Sequence, residues 1–163
     1  MENQRQLRAH LVDLLRGGNA HMGFDAAVAD FPDALINTRP PHVDYTFWHL
    51  IEHLRLTQVD LLTYVTSAGY QEPEWPAEYW PARDAQATKA DWEASLAAFR
   101  QDLDAFIAIV AAETTDLFAA VPSHAEHTIL REALILADHN AYHIGELAIL
   151  RQIERGWGPA HTA

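Results

Sequence analysis

The chain has no cysteine, which excludes disulfides, a thiolate metal site and a cysteine nucleophile, so any metal it holds must be bound through nitrogen and oxygen. It is also poor in positive charge. Eleven lysines and arginines stand against 23 aspartates and glutamates, a formal charge of −12, and the basic residues form no cluster. That balance disfavours a nucleic-acid groove or an anionic membrane surface. No apolar run approaches the roughly 20 residues that span a bilayer, and the opening residues Met1-Glu2-Asn3-Gln4-Arg5-Gln6 lack the apolar core of a signal peptide. The expectation is a cytoplasmic protein with neither nucleic acid nor membrane as partner. There is no convincing strand and no internal repeat, and with 49% of 163 residues apolar the chain can bury one core, so a single domain over 1–163 is expected.

What is present is helical periodicity. Leu7, Leu11, Leu14 and Leu15 recur at three and four and meet the stop Gly17-Gly18, predicting a helix over 3–16. A short helical piece over 23–31 precedes Pro32, and Pro40-Pro41 forces an extended connection. A second long helix over 44–65, with Asp44 as its N-cap, carries the apolar face Leu50, Leu54, Leu56, Leu61 and Tyr64. Thr88 caps a third over 88–113, with Trp92, Leu96, Phe99, Leu103, Phe106, Ile107 and Val110 keeping the rhythm. After a short apolar turn at 117–121 and a polar link at 123–127, Thr128 caps a fourth helix that ends before Gly156 and Gly158. Between the second and third helices the periodicity collapses. There Glu72-Pro73-Glu74-Trp75-Pro76-Ala77-Glu78-Tyr79-Trp80-Pro81 makes a stiff aromatic loop that must pack on something, as a clasp on the bundle or a lid over a pocket. Four long amphipathic helices make an all-α four-helix bundle, an architecture whose facing helices commonly build metal sites.

The chemistry concentrates in Asp138-His139-Asn140-Ala141-Tyr142-His143-Ile144-Gly145-Glu146. On a helix, His139 and His143 share a face about 6 Å apart along the axis, and Glu146 continues the stripe. Leu136, Leu150 and Ile153 fall within about 60° of His139, so the stripe turns toward the core. Two inward imidazoles joined by a third from another helix can hold a divalent metal and leave positions open. The alternative is a histidine pair satisfied by carboxylates and backbone, since this helix lacks the glutamate of an HExxH protease. The second helix offers His49 and His53, and spacing does not choose between them. His21, His42, His124 and His127 fall in connections and read as loop or surface residues.

Trp48-His49-Leu50-Ile51-Glu52-His53-Leu54-Arg55 with Gln58 and Asp60, the stretch around His139 and His143 with Arg151, Ala20-His21-Met22 through Phe31-Pro32, the loop from Trp75 to Pro81 and Leu130-Arg131-Glu132-Ala133 together resemble the DinB-like superfamily of bacterial metal-binding four-helix bundles. No single motif is specific, but their order and spacing cover most of the chain. The resemblance implies His53, His139 and His143 as ligands, with His49 packing or supporting. It implies Zn²⁺ or Ni²⁺ as the metal, and a hydrolase or thiol transferase acting on a small molecule, in a chain that often pairs as a homodimer. Many relatives carry glutamine where this chain has Glu146, a carboxylate suited to be a fourth ligand, to orient an imidazole or to act as general base. Glu146 and Tyr142 are the catalytic candidates, with Asp60 and Tyr64 as further supporting or proton-handling groups. In a protein without cysteine, the sulfur of a transfer reaction comes from a thiol cosubstrate. A non-enzymatic metal-binding or stress-related structural protein is the competing class, distinguished by a site closed with four protein ligands.

Overall fold

A computed structural model describes residues 2–158; Met1 and 159–163, which the single-domain expectation over 1–163 includes, lie outside the described residues. Four long helices dominate: α1 (Glu2–Arg16), α3 (Phe47–Thr66), α4 (Lys89–Ala111) and α5 (Ile129–Ile153). A five-residue α2 (Phe24–Val28) and a 3-10 turn (Asp33–Leu35) fill the first connection. The fold is all-α in character, as the periodicity predicts. No helix among the described residues is long and apolar enough to cross a membrane.

Local chemistry sets the boundaries. Gly17 and Gly18 adopt φ of 69° and 84° and turn the chain out of α1, a left-handed conformation that glycine takes without a Cβ penalty. Thr88 and Asp91 form a reciprocal capping box at the start of α4, and the Thr128 hydroxyl accepts from the Arg131 amide at the start of α5. One predicted cap is displaced: the N-cap of α3 is Thr46, whose hydroxyl accepts from the His49 amide at 3.1 Å, and not Asp44. Thr46 is buried beside Phe47, whereas Asp44 points to solvent and pairs with Arg83. The link after α4 also departs from expectation, because β1 (Ala120–Val121) and β2 (His124–Thr128) pair as a small antiparallel hairpin with an irregular register. Buried Leu117 and Val121 anchor it against the bundle, and tertiary packing therefore decides a segment with little strand pattern of its own.

The core has two apolar clusters. One gathers Phe24, Phe47, Leu50, Ile51, Leu54, Trp92, Leu96, Phe99, Ile144 and Leu147; the other Leu11, Leu15, Val65, Phe106, Ile107, Val110, Leu117 and Leu136. Between them runs a polar belt. Gln58 of α3, fully buried, donates to the Phe99 carbonyl and accepts from Asn140 of α5 at 3.1 Å. Such buried amides are tolerable only when bonded, and these cross-links pin α3, α4 and α5 at one level. At the end of α5, the buried Arg151 guanidinium donates to the carbonyls of Gly156, Ala27 and Asp30 and lies over the rings of Phe31 and Trp157. Leu136 and Leu150 are buried as the helical wheel requires, but Ile153, the last residue of α5, is 53% exposed.

Candidate metal centre

His53 on α3 and His139 and His143 on α5 converge beside the Gln58–Asn140 belt, each offering a nitrogen within 4.8 Å of the others. His53 Nε2 and His139 Nε2 are 3.2 Å apart. Two imidazoles bound to one ion at about 2.0–2.1 Å and a near-tetrahedral angle take a spacing of about that size. Among the described residues this is the single such group of three histidine, aspartate or glutamate side chains.

The outer nitrogens show how the rings are set. His53 Nδ1 meets the Tyr79 carbonyl at 2.9 Å, and His143 Nδ1 meets Glu146 Oε2 at 2.7 Å. A ring that donates its Nδ1–H to an oxygen presents the lone pair of Nε2 on its other side, the arrangement that commonly supports a metal-binding histidine. Burial depresses His53 to about 4, with the neighbouring His143 also lowering it while Tyr79 and Glu146 act in the opposite direction. His139 is likewise lowered to about 4 by burial, then by His143 and His53. Both rings are therefore neutral near pH 7, the form that binds a metal. His139 Nδ1 differs: it is buried without a hydrogen-bond partner, as is the amide oxygen of the adjacent Asn140. The donor set of three imidazoles, two of them locked from behind, fits a divalent ion.

Glu146 stands behind His143. Its second oxygen accepts the hydroxyl of Tyr45, so both carboxylate oxygens have partners. Burial alone would raise the Glu146 carboxyl, but its hydrogen bonds with His143 and Tyr45 outweigh that and hold it below its ordinary value. The Tyr45 phenol is pushed well above its ordinary range by burial and then by the Glu146 carboxylate, so it stays protonated as a donor. Trp80 lies flat on His53, with ring centroids 3.9 Å apart and planes 5° from parallel, and Tyr45 packs on Trp80. The Tyr79 hydroxyl donates to Asp60, as does that of Tyr70, and the loop is thereby clasped to α3 while its backbone holds His53.

The other sequence candidates are placed as follows. His49 is buried with Nε2 at the Ala85 carbonyl, 3.0 Å away, outside the cluster. Tyr64, a candidate for proton handling, instead pairs its hydroxyl with His127 Nδ1 at 2.7 Å. Asp60 reaches the centre only through Tyr79. Tyr142 is 69% exposed, its ring edge-on to His143 with centroids 4.8 Å apart. Sequence reasoning did not find Tyr45, and it assigned no role to the Tyr79 carbonyl or to Trp80. The crowding of aromatics between prolines was the available signal for the last two; nothing in the sequence marks Tyr45.

The family model of the DinB superfamily matches residues 18–147, a span that includes all three histidines and Glu146. Neither a curated protein nor a solved structure matches the chain.

Proposed function

The chain belongs to the DinB superfamily, and on that membership and the geometry of its histidines we propose that it is a metal-dependent enzyme, binding Zn²⁺ or Ni²⁺ through His53, His139 and His143. The reaction is hydrolysis of a small substrate or transfer of a low-molecular-weight thiol to an electrophile. The carrying observation is the count of ligands. Three imidazoles converge, while the nearest carboxylate, Glu146, is occupied by Tyr45 and His143. A site with three protein ligands keeps a vacancy, whereas a structural site is closed by four.

When bound, the ion supplies Lewis acidity toward the donor atom of a water or thiol. The residues supply orientation and proton handling. The Tyr79 carbonyl and Trp80 fix the His53 ring, and Glu146 fixes His143. Glu146, held ionised and hydrogen-bonded by the Tyr45 phenol, accepts the Nδ1–H of His143 and so keeps that proton on the outer nitrogen, leaving Nε2 free as the ligand atom. With no cysteine in the chain, the sulfur of a transfer reaction is carried by a cosubstrate.

The test is a panel of ester and amide hydrolysis together with thiol conjugation, run on zinc- and nickel-loaded protein. One of the two activities is expected, lost in His139→Ala. Inactivity in both, with one ion bound per chain, would leave a non-enzymatic metal-binding protein in its place.

A further inference from the structure

Two large aromatic rings beside the histidine cluster are left in solvent. Trp75 is 67% exposed, its ring edge-on to His53 with centroids 6.4 Å apart; Tyr142 is 69% exposed beside His143. The other aromatics around the cluster are committed: Trp80 covers a face of His53, Tyr45 bonds Glu146, and Tyr79 bonds Asp60. The stiff loop over 72–81 thus buries part of its aromatic surface and leaves Trp75 bare next to a ligand imidazole.

The charged side chains within four residues of these two rings in the chain are all carboxylates. The Glu78 carboxylate accepts from the Glu74 amide at 2.6 Å, next to Trp75 in the chain. Exposed Asp138 lies one turn before Tyr142 on α5. Glu146 is ionised behind His143, and no lysine or arginine is among the groups acting on His53, His139 or Glu146. Aromatic faces attract flat apolar rings and organic cations, and carboxylates without nearby basic groups repel anions.

We propose that Trp75 and Tyr142 form an aromatic rim selecting uncharged or cationic substrates that present a flat ring to the three-histidine site, and that anionic substrates are excluded. This rests on the open metal site proposed above. Neither residue needs to coordinate the ion; each contacts the part of the substrate that does not react.

Chelating probes separate the two readings. Zinc-loaded full-length protein is titrated calorimetrically with acetohydroxamic acid, benzohydroxamic acid and 4-carboxybenzohydroxamic acid. Benzohydroxamate is expected to bind roughly tenfold more tightly than acetohydroxamate, the size of gain that one or two aromatic contacts give, and the carboxylate is expected to cancel most of the advantage. Trp75→Ala should cut the ratio to about threefold or less with zinc content and acetohydroxamate affinity unchanged, and Tyr142→Ala should cut it likewise with zinc content unchanged. Trp75→Phe and Tyr142→Phe should keep most of it. Equal binding of the first two probes, or a ratio that survives both alanine variants, overturns the rim. So does a change of oligomeric state in those variants with the ratio intact, which would make these rings a subunit contact. Failure of acetohydroxamate itself on protein carrying one zinc per chain would instead refute the open site, and the rim with it.

Discussion

At the scale of single residues, the imidazoles of His53 and His143 are each set by the group that stands behind the ring. Removing an outer partner of a metal-binding histidine typically costs 10–100-fold in affinity. Glu146→Gln is expected to weaken zinc binding by about that factor, and Tyr45→Phe by less, while the unfolding midpoint of the metal-free protein moves little. Competition titration against a chromophoric chelator measures this, and unchanged affinity in Glu146→Gln would show that the carboxylate does not set the His143 ring. Arg151 makes a different point. Its side chain bonds three backbone carbonyls, those of Gly156 and Ala27 buried, and Arg151→Ala strands these two, a loss of at least about 2 kcal/mol at 1–3 kcal/mol for each buried unmade bond; urea denaturation reads it directly. The spacing of His139 and His143 made the pair legible in the sequence, because four residues on a helix define a face. Which histidine of α3 joins them was not legible from spacing; that came from resemblance. Tyr45 was invisible because its partner lies 101 residues away in the chain, and no local pattern encodes such a pairing.

Elements were legible where their ends carry side-chain caps. Thr88 and Thr128 each precede a long periodic run and cap it as expected. The start of α3 was misplaced by two residues because Asp44 and Thr46 are both good capping residues, and burial of Phe47 beside Thr46 decides between them. The hairpin at 120–128 was missed altogether, since β2 is mostly exposed and carries no alternation. The aromatic loop was recognised as a segment that must pack, and it does so through Tyr79 and Trp80, but it does not bury Trp75. Within α5, Gly145 sits in a helix interior, and a Cβ built there meets nothing within 4 Å. Gly145→Ala is therefore expected to raise stability by about 0.4–1 kcal/mol through helix propensity and reduced unfolded-state freedom. Thermal and urea unfolding check it, and a loss of stability would mean that something unrecorded packs against this position.

On the scale of the whole molecule, two apolar clusters hold the bundle and the polar belt of Gln58 and Asn140 passes between them at the level of the histidines. The bundle class was readable from periodicity; the belt was not, because a helical wheel cannot tell which buried amides find each other. Burying two neutral imidazoles in that belt makes stability depend on pH. His53 and His139 titrate near 4 in the fold against 6.5 ordinarily, so below about 6.5 the unfolded chain binds protons that the folded chain refuses. The stabilisation is complete above about 6.5 and is lost as pH falls toward about 4. Urea midpoints of the metal-free protein should decline between pH 6.5 and 5, less so in His139→Leu, and a flat profile would contradict the burial of the rings. The most direct test of the central claim is a crystal structure of the zinc-loaded protein with anomalous data at the zinc edge. One peak is predicted, bonded at about 2.0–2.1 Å to nitrogens of His53, His139 and His143, with Glu146 outside the coordination sphere and a position left for a non-protein ligand. A peak elsewhere, or Glu146 closing the site as a fourth ligand, would contradict the account.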